Sequence, residues 1–131
     1  MLLPHAVRFA RPVAAEKLAP LDAIFGGPTE DALQCPPALP MDEPTLWRIL
    51  GEGGRPDRVH MNCSGKHAAM LAYCVQCGHD KSDYLAYDHP LQQAIRRAVA
   101  CFTGVAEARL VAGIDGCSAP NYAVPLASLA T

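Results

Sequence analysis

The sequence predicts an α/β domain in which helices pack around a small sheet. Three observations point there. Apolar residues recur at helical spacing, between start and stop signals, near residues 43–50, 65–77 and 90–103. One short run, 108–114, reads as a strand and ends in a tight Asp115-Gly116 turn. The middle helix is apolar nearly all round, so it needs protein on most of its sides.

Taken in order, residues 1–34 resist assignment, because Pro4, Pro12, Pro20 and Pro28 interrupt every candidate element. Gly26-Gly27-Pro28 marks a turn, and Thr29 to Leu33 can open a short helical one. Prolines stiffen an extended approach from Cys35 to Pro40. Asp42 is a good N-cap with Pro44 in the first turn, and Leu46, Trp47, Ile49 and Leu50 form an apolar face. Gly51-Glu52-Gly53-Gly54 stops that helix, and Val59 to Asn62 read as an extended lead-in to the next.

The second helix stops at Gly78, a glycine suited to the position after a helix end. A loop carrying Tyr84 and Tyr87 leads to the third helix, capped at Asp88 or His89 and stopped by Gly104. Its spacing turns Leu91, Ile95, Val99 and Phe102 to the core, and Gln92, Gln93, Arg96 and Arg97 to solvent. After the strand, residues 123–130 read as the first turns of a further helix.

Composition narrows the function classes. The 131 residues suffice for one small domain with a core; half are apolar and 18% are charged. A net charge of −2 implies no nucleic-acid partner, and no apolar run reaches membrane-spanning length. Arg8, Arg11 and Lys17 suggest at most a transit peptide, an ordinary terminus being the simpler reading. Without a secretory signal, the six cysteines are expected to be reduced and the protein cytoplasmic.

The chemistry gathers in His60-Met61-Asn62-Cys63-Ser64-Gly65-Lys66-His67, at the start of the apolar helix. Helix N-termini offer unpaired N–H groups and partial positive charge, which should lower a thiol's pKa. Cys63 and Lys66 share one side of the first turn, where they could bind a metal, activate a nucleophile or hold a substrate carboxylate. The bland alternative is a buried cysteine beside a solvated lysine.

Ser64-Gly65-Lys66 is not a phosphate-binding loop: a glycine would have to replace His60, and Ser or Thr would have to replace His67. Cys74-Val75-Gln76-Cys77 closes a helix and has no second pair, so packing is expected of it. Asp115-Gly116-Cys117-Ser118 adds a second thiol at a strand end, and two cysteines with nitrogen donors would suit Zn²⁺. Cys35 and Cys101 read as filler; His5, His79 and His89 read as surface or capping residues.

Asn62-Cys63-Ser64-Gly65-Lys66-His67-Ala68-Ala69-Met70-Leu71 resembles the core signature of the asparaginase II family, the Rhizobium etli-type L-asparaginases. Gly113-Ile114-Asp115-Gly116-Cys117-Ser118-Ala119-Pro120-Asn121-Tyr122-Ala123 resembles its second signature. Cys35-Pro36 through Met41-Asp42-Glu43, and Asp88-His89-Pro90, also fit. The resemblance covers residues 31–131 and leaves 1–30 unassigned.

It implies a serine β-lactamase/glutaminase-like fold and an amidohydrolase of asparagine catabolism, converting L-asparagine and water to L-aspartate and ammonia. A serine attacks the side-chain amide through an acyl-enzyme, with a lysine as base. By motif, Zn²⁺ falls to Cys63, Lys66 and Cys117, and the substrate lies near His67, Asp115 and Ser64. As a ligand, Lys66 would have to be neutral.

The family's nucleophile lies in a Ser-x-x-Lys, and a second serine in a Ser-His-Ser-Gly-Glu-like stretch; the sequence contains neither. Residues 31–131 are therefore expected to be a partial domain, a fragment truncated at its C-terminus. Its expected state is inactive alone, with no catalytic residue assigned. The alternative is a small zinc-binding domain without catalysis, and a homodimer is left open.

Overall fold

The computed structural model describes residues 29–129, and assignments made for residues 1–28, His5 included, lie outside them. The molecule is a mixed structure of helices and one two-stranded antiparallel sheet. In order come α1 (Thr29–Ala32), α2 (Glu43–Gly51), α3 (Ser64–Cys77), α4 (Pro90–Thr103), β1 (Val111–Ile114) and β2 (Pro120–Ala123). Two 3₁₀ turns, Glu107–Arg109 and Leu126–Leu129, flank the sheet.

The caps explain the helix limits. Asp42 Oδ2 accepts from the Thr45 N–H at 3.1 Å, and Pro44 sits in the first turn of α2. At its far end the Gly54 N–H donates to Ile49 O at 2.8 Å. A Cβ on Gly54 would meet Ile49 Cγ2 at 2.6 Å, so only glycine closes this helix. Helix α3 ends on Gly78 in the left-handed region, with the His79 N–H donating to Cys74 O at 2.8 Å. Helix α4 starts on His89, whose Nδ1 accepts from the Leu91 N–H at 3.1 Å while its Nε2 donates to Asp80 O at 3.0 Å.

The core surrounds α3. Met70, Leu71 and Cys74 from that helix pack with Leu33, Cys35, Tyr84, Leu91, Cys117 and Ala119. The stretch after α1, the loop before α4, α4 itself and the turn between β1 and β2 thus each send a residue to one helix. Burial of this apolar set is the main favourable term holding the fold.

Several sequence expectations change. The strand begins at Val111 rather than residue 108, because Glu107–Arg109 coil into a 3₁₀ turn. Residues 120–123 form β2, pairing Ile114 with Pro120 and Val111 with Ala123, and beyond it only a 3₁₀ turn forms where a helix is expected. Pro120 lacks an N–H and so takes the first position of its strand. In α4, Phe102 is 84% exposed and Gln92 is fully buried, the reverse of the amphipathic pattern. Gln92 earns its place through its amide, which donates to Tyr84 O at 2.8 Å.

Val59 to Asn62 also bend rather than extend, leading Cys63 into α3 with the Ser64 N–H on Met61 O at 2.9 Å.

Candidate functional site

Two elements bring the site together. The start of α3 supplies Cys63, Ser64, Lys66 and His67. The turn between β1 and β2 supplies Asp115 and Cys117. The turn holds itself in shape: the Asp115 N–H donates to Ala119 O at 3.1 Å, and Asp115 Oδ1 accepts from the Cys117 N–H at 2.8 Å. Ser118, at φ 70°, takes the left-handed conformation that completes it.

Across 49 residues of chain, Lys66 Nζ reaches Asp115 Oδ2 at 3.0 Å. The Cys117 side chain interacts with Lys66, with Asp115 and with the Cys63 thiol. The cluster therefore joins one cation, one anion and two thiols. Cys117 is buried, Cys63 half-buried, and Lys66 41% exposed against 25% for Asp115.

Electrostatics follow from these contacts. Burial alone would lower the Lys66 pKa, but the Cys117 and Asp115 side chains outweigh it and push it up to about 12. Burial would raise the Asp115 carboxyl, yet hydrogen bonds from Cys117 and Lys66 bring it down to about 2. Burial, reinforced by Cys117, raises the Cys63 thiol, although Lys66 pulls the other way. The helix N-terminus was expected to lower it; desolvation and a thiol neighbour prevail here. Lys66 is thus a paired ammonium, and to act as a neutral ligand it would have to give up both its proton and Asp115.

His67 lies below this surface. Its ring is fully buried, and its Nδ1 lies 2.6 Å from the Tyr84 hydroxyl. The two rings meet edge to face, 5.7 Å apart at 79°. Burial and the Lys66 charge both hold its pKa below the ordinary histidine range. Nε2 is buried and has no hydrogen-bond partner. Ser64 opens α3 half-buried.

Two residues near the site stand outside both signatures. Cys35, read as filler, is buried within electrostatic reach of Cys63 and Cys117, its thiol on Arg58 O at 3.5 Å. Burial raises its pKa. Tyr84 is a loop aromatic outside any periodic segment, yet it is fully buried and its pKa is pushed up to about 12 by burial.

Elsewhere, Cys74 packs in the core as expected, but its partner Cys77 is exposed, as is Cys101. Among the described residues no group of three or more His, Cys, Asp or Glu side chains is arranged to hold a metal ion. The predicted zinc set differs from such a group in counting an amine. No helix among them is long and apolar enough to cross a membrane.

No curated protein matches the chain. The family model for L-asparaginase II matches residues 21–131 and carries with it an asparaginase-like role on a small-molecule substrate. With both signatures meeting in space and most of its length matched, the chain belongs to the asparaginase II family.

Proposed function

We propose that this chain carries part of an L-asparagine amidohydrolase site and is inactive alone. The reaction is L-asparagine plus water to L-aspartate plus ammonia. The supporting observation is the Lys66–Asp115 contact at 3.0 Å, which joins the two signature segments beside two thiols. An amino-acid substrate brings a carboxylate and an ammonium, and a paired cation and anion can exchange partners with both. The nucleophile is the missing part, since no Ser-x-x-Lys occurs in the sequence. Within this reading the helices and hairpin form a portion of a serine β-lactamase/glutaminase-like domain, and the reduced thiols suit a cytoplasmic setting.

The donors beside Asp115 also suit a zinc ion. Cys63 and Cys117 are soft ligands in mutual contact, and Lys66 stands next to them. When bound, zinc would supply Lewis-acid polarisation of a substrate oxygen. The protein's own part is to hold the two sulfurs together and keep Lys66 on Asp115 until an anion arrives.

Ammonia release from the purified chain with asparagine tests the main reading. No turnover is expected, and sustained turnover would mean that another group serves as nucleophile. The same contact between thiols favours a second reading, a zinc-binding domain without catalysis. Metal analysis of the wild type against Cys63→Ser and Cys117→Ser tests it. Bound zinc lost in both variants is expected, and a metal-free wild type rejects it.

A further inference from the structure

Strand β1 is exposed at all four of its residues, Val111 at 67% and Ile114 at 71%. A strand of a packed domain buries at least one face. The register with β2 tells which backbone groups are already spent. Val111 faces Ala123 and Ile114 faces Pro120, so Asp115 faces Ala119. The Asp115 N–H donates to Ala119 O at 3.1 Å, which makes theirs a hydrogen-bonded pair. Such pairs alternate with unbonded ones along an antiparallel ladder. Val111 and Gly113 therefore turn their N–H and C=O groups to β2, while Ala112 and Ile114 turn theirs away. Among the described residues the sheet has only its two strands, so the outward groups meet no third.

The two edges of this sheet differ. β2 begins with Pro120 and packs against α4. β1 is Val-Ala-Gly-Ile, without a proline or a charge to guard its edge. Charges stand just beyond it, with Arg109 exposed before the strand and Asp115 after it. Among the described residues Arg109 makes no ion pair.

We propose that β1 is a self-association edge: a second copy of this chain pairs with it antiparallel across a two-fold axis, Ala112 opposite Ala112. A two-fold axis sets a strand antiparallel to its own copy, so one surface supplies both halves of the contact. Outward groups must meet outward groups. With most of the strand paired, that restricts the axis to Ala112 or Gly113. An axis at Ala112 brings Arg109 of each copy level with Asp115 of the other, whereas an axis at Gly113 sets Asp115 against Val111. The first also lays Val111 against Gly113, where no side chain competes for the space, and Leu110, already extended, against Ile114. A foreign strand would need the same order of base, apolar run and acid, which a second copy has by construction. The pairing does not rest on the asparagine reading.

The test follows the full chain by sedimentation velocity across the micromolar range, with amide hydrogen exchange on the same samples. A concentration-dependent dimer is expected, in which exchange of the Ala112 and Ile114 amides slows as the dimer fills. The Gly113 amide, already turned to β2, should depend far less on concentration. Ile114→Lys, at an exposed position, should keep the thermal unfolding transition and weaken the dimer several-fold. Arg109→Glu should also weaken it several-fold, and more at low salt than at high salt. A chain that is monomeric throughout overturns the proposal and leaves the edge to another polypeptide. A dimer whose Ala112 and Ile114 amides exchange as fast as in the monomer overturns it too, since another face then carries the contact. An unchanged or tighter dimer in Arg109→Glu overturns the axis at Ala112. If Ile114→Lys fails to fold, the wild-type exchange pattern decides. None of these readouts depends on ammonia release or bound zinc, so failure of the functional reading is seen separately.

Discussion

Helices α3 and α4 are each 14 residues long, and each ends on a left-handed glycine, at φ 68° and 66°. They begin differently. Helix α4 has His89 as a side-chain cap and Pro90 in its first turn. Helix α3 begins on Cys63, which makes no side-chain cap bond. The capped start is a structural anchor tied back to Asp80. The uncapped start is where thiol, amine and carboxylate converge. A capping side chain would occupy the space and the N–H groups that a ligand needs. The first turn of a helix thus serves either its own stability or a site.

The largest effect expected is in the core that α3 organises. Leu71→Ala should cost about 2–5 kcal/mol in urea unfolding, since Leu71 is 2% exposed among packed neighbours. A loss near zero would mean that α3 is not the centre of the fold.

Next come the two starts. His89→Ala should cost about 1 kcal/mol or more, having removed a cap and its bond to Asp80. Cys63→Ser should lose any zinc but keep or slightly raise stability, because the hydroxyl can cap α3. If Cys63→Ser destabilised as much as His89→Ala, the contrast between the helices would fail.

Asp115→Asn should cost roughly 0.2–1 kcal/mol, because the pair with Lys66 is partly solvated. Its acid dependence is more telling. The folded carboxyl, at about 2, lies below the free value of about 3.9. Its contribution is therefore complete above the free value and is lost as the pH falls toward about 2. Asp115→Asn should flatten that part of the acid unfolding curve. For Lys66, raised to about 12, the contribution is complete below the free value of about 10.4 and is lost as pH rises through about 12.

The smallest effect is expected at Phe102→Ala, within about 0.5 kcal/mol by thermal unfolding, since the ring is 84% exposed. Periodicity alone would have placed it in the core.

Much of the frame was legible because it rests on local chemistry. Asp42, Gly78, His89 and Gly104 mark helix ends through caps and left-handed glycines, which sequence reveals directly. The convergence of Cys63, Lys66, Asp115 and Cys117 was legible only through the two signatures taken together, since spacing along the chain cannot bring residues 49 apart into contact. The burial of Gln92, expected at the solvent face, and of Tyr84, expected in a loop, was not legible, because buried polar groups are justified by partners, and partners are tertiary. β2 was missed because Pro120 argues against a strand interior and says little about a strand's first residue.

Ser118 gives the turn between β1 and β2 one further property. A residue with a Cβ held at φ 70° costs on the order of 1 kcal/mol, tolerable only where its neighbours leave no alternative. The cost falls immediately after Cys117. A glycine at 118 would remove that cost and relax the loop, so the sulfur would sample more directions than the serine permits. The choice of serine makes the turn a stiff mount for the thiol.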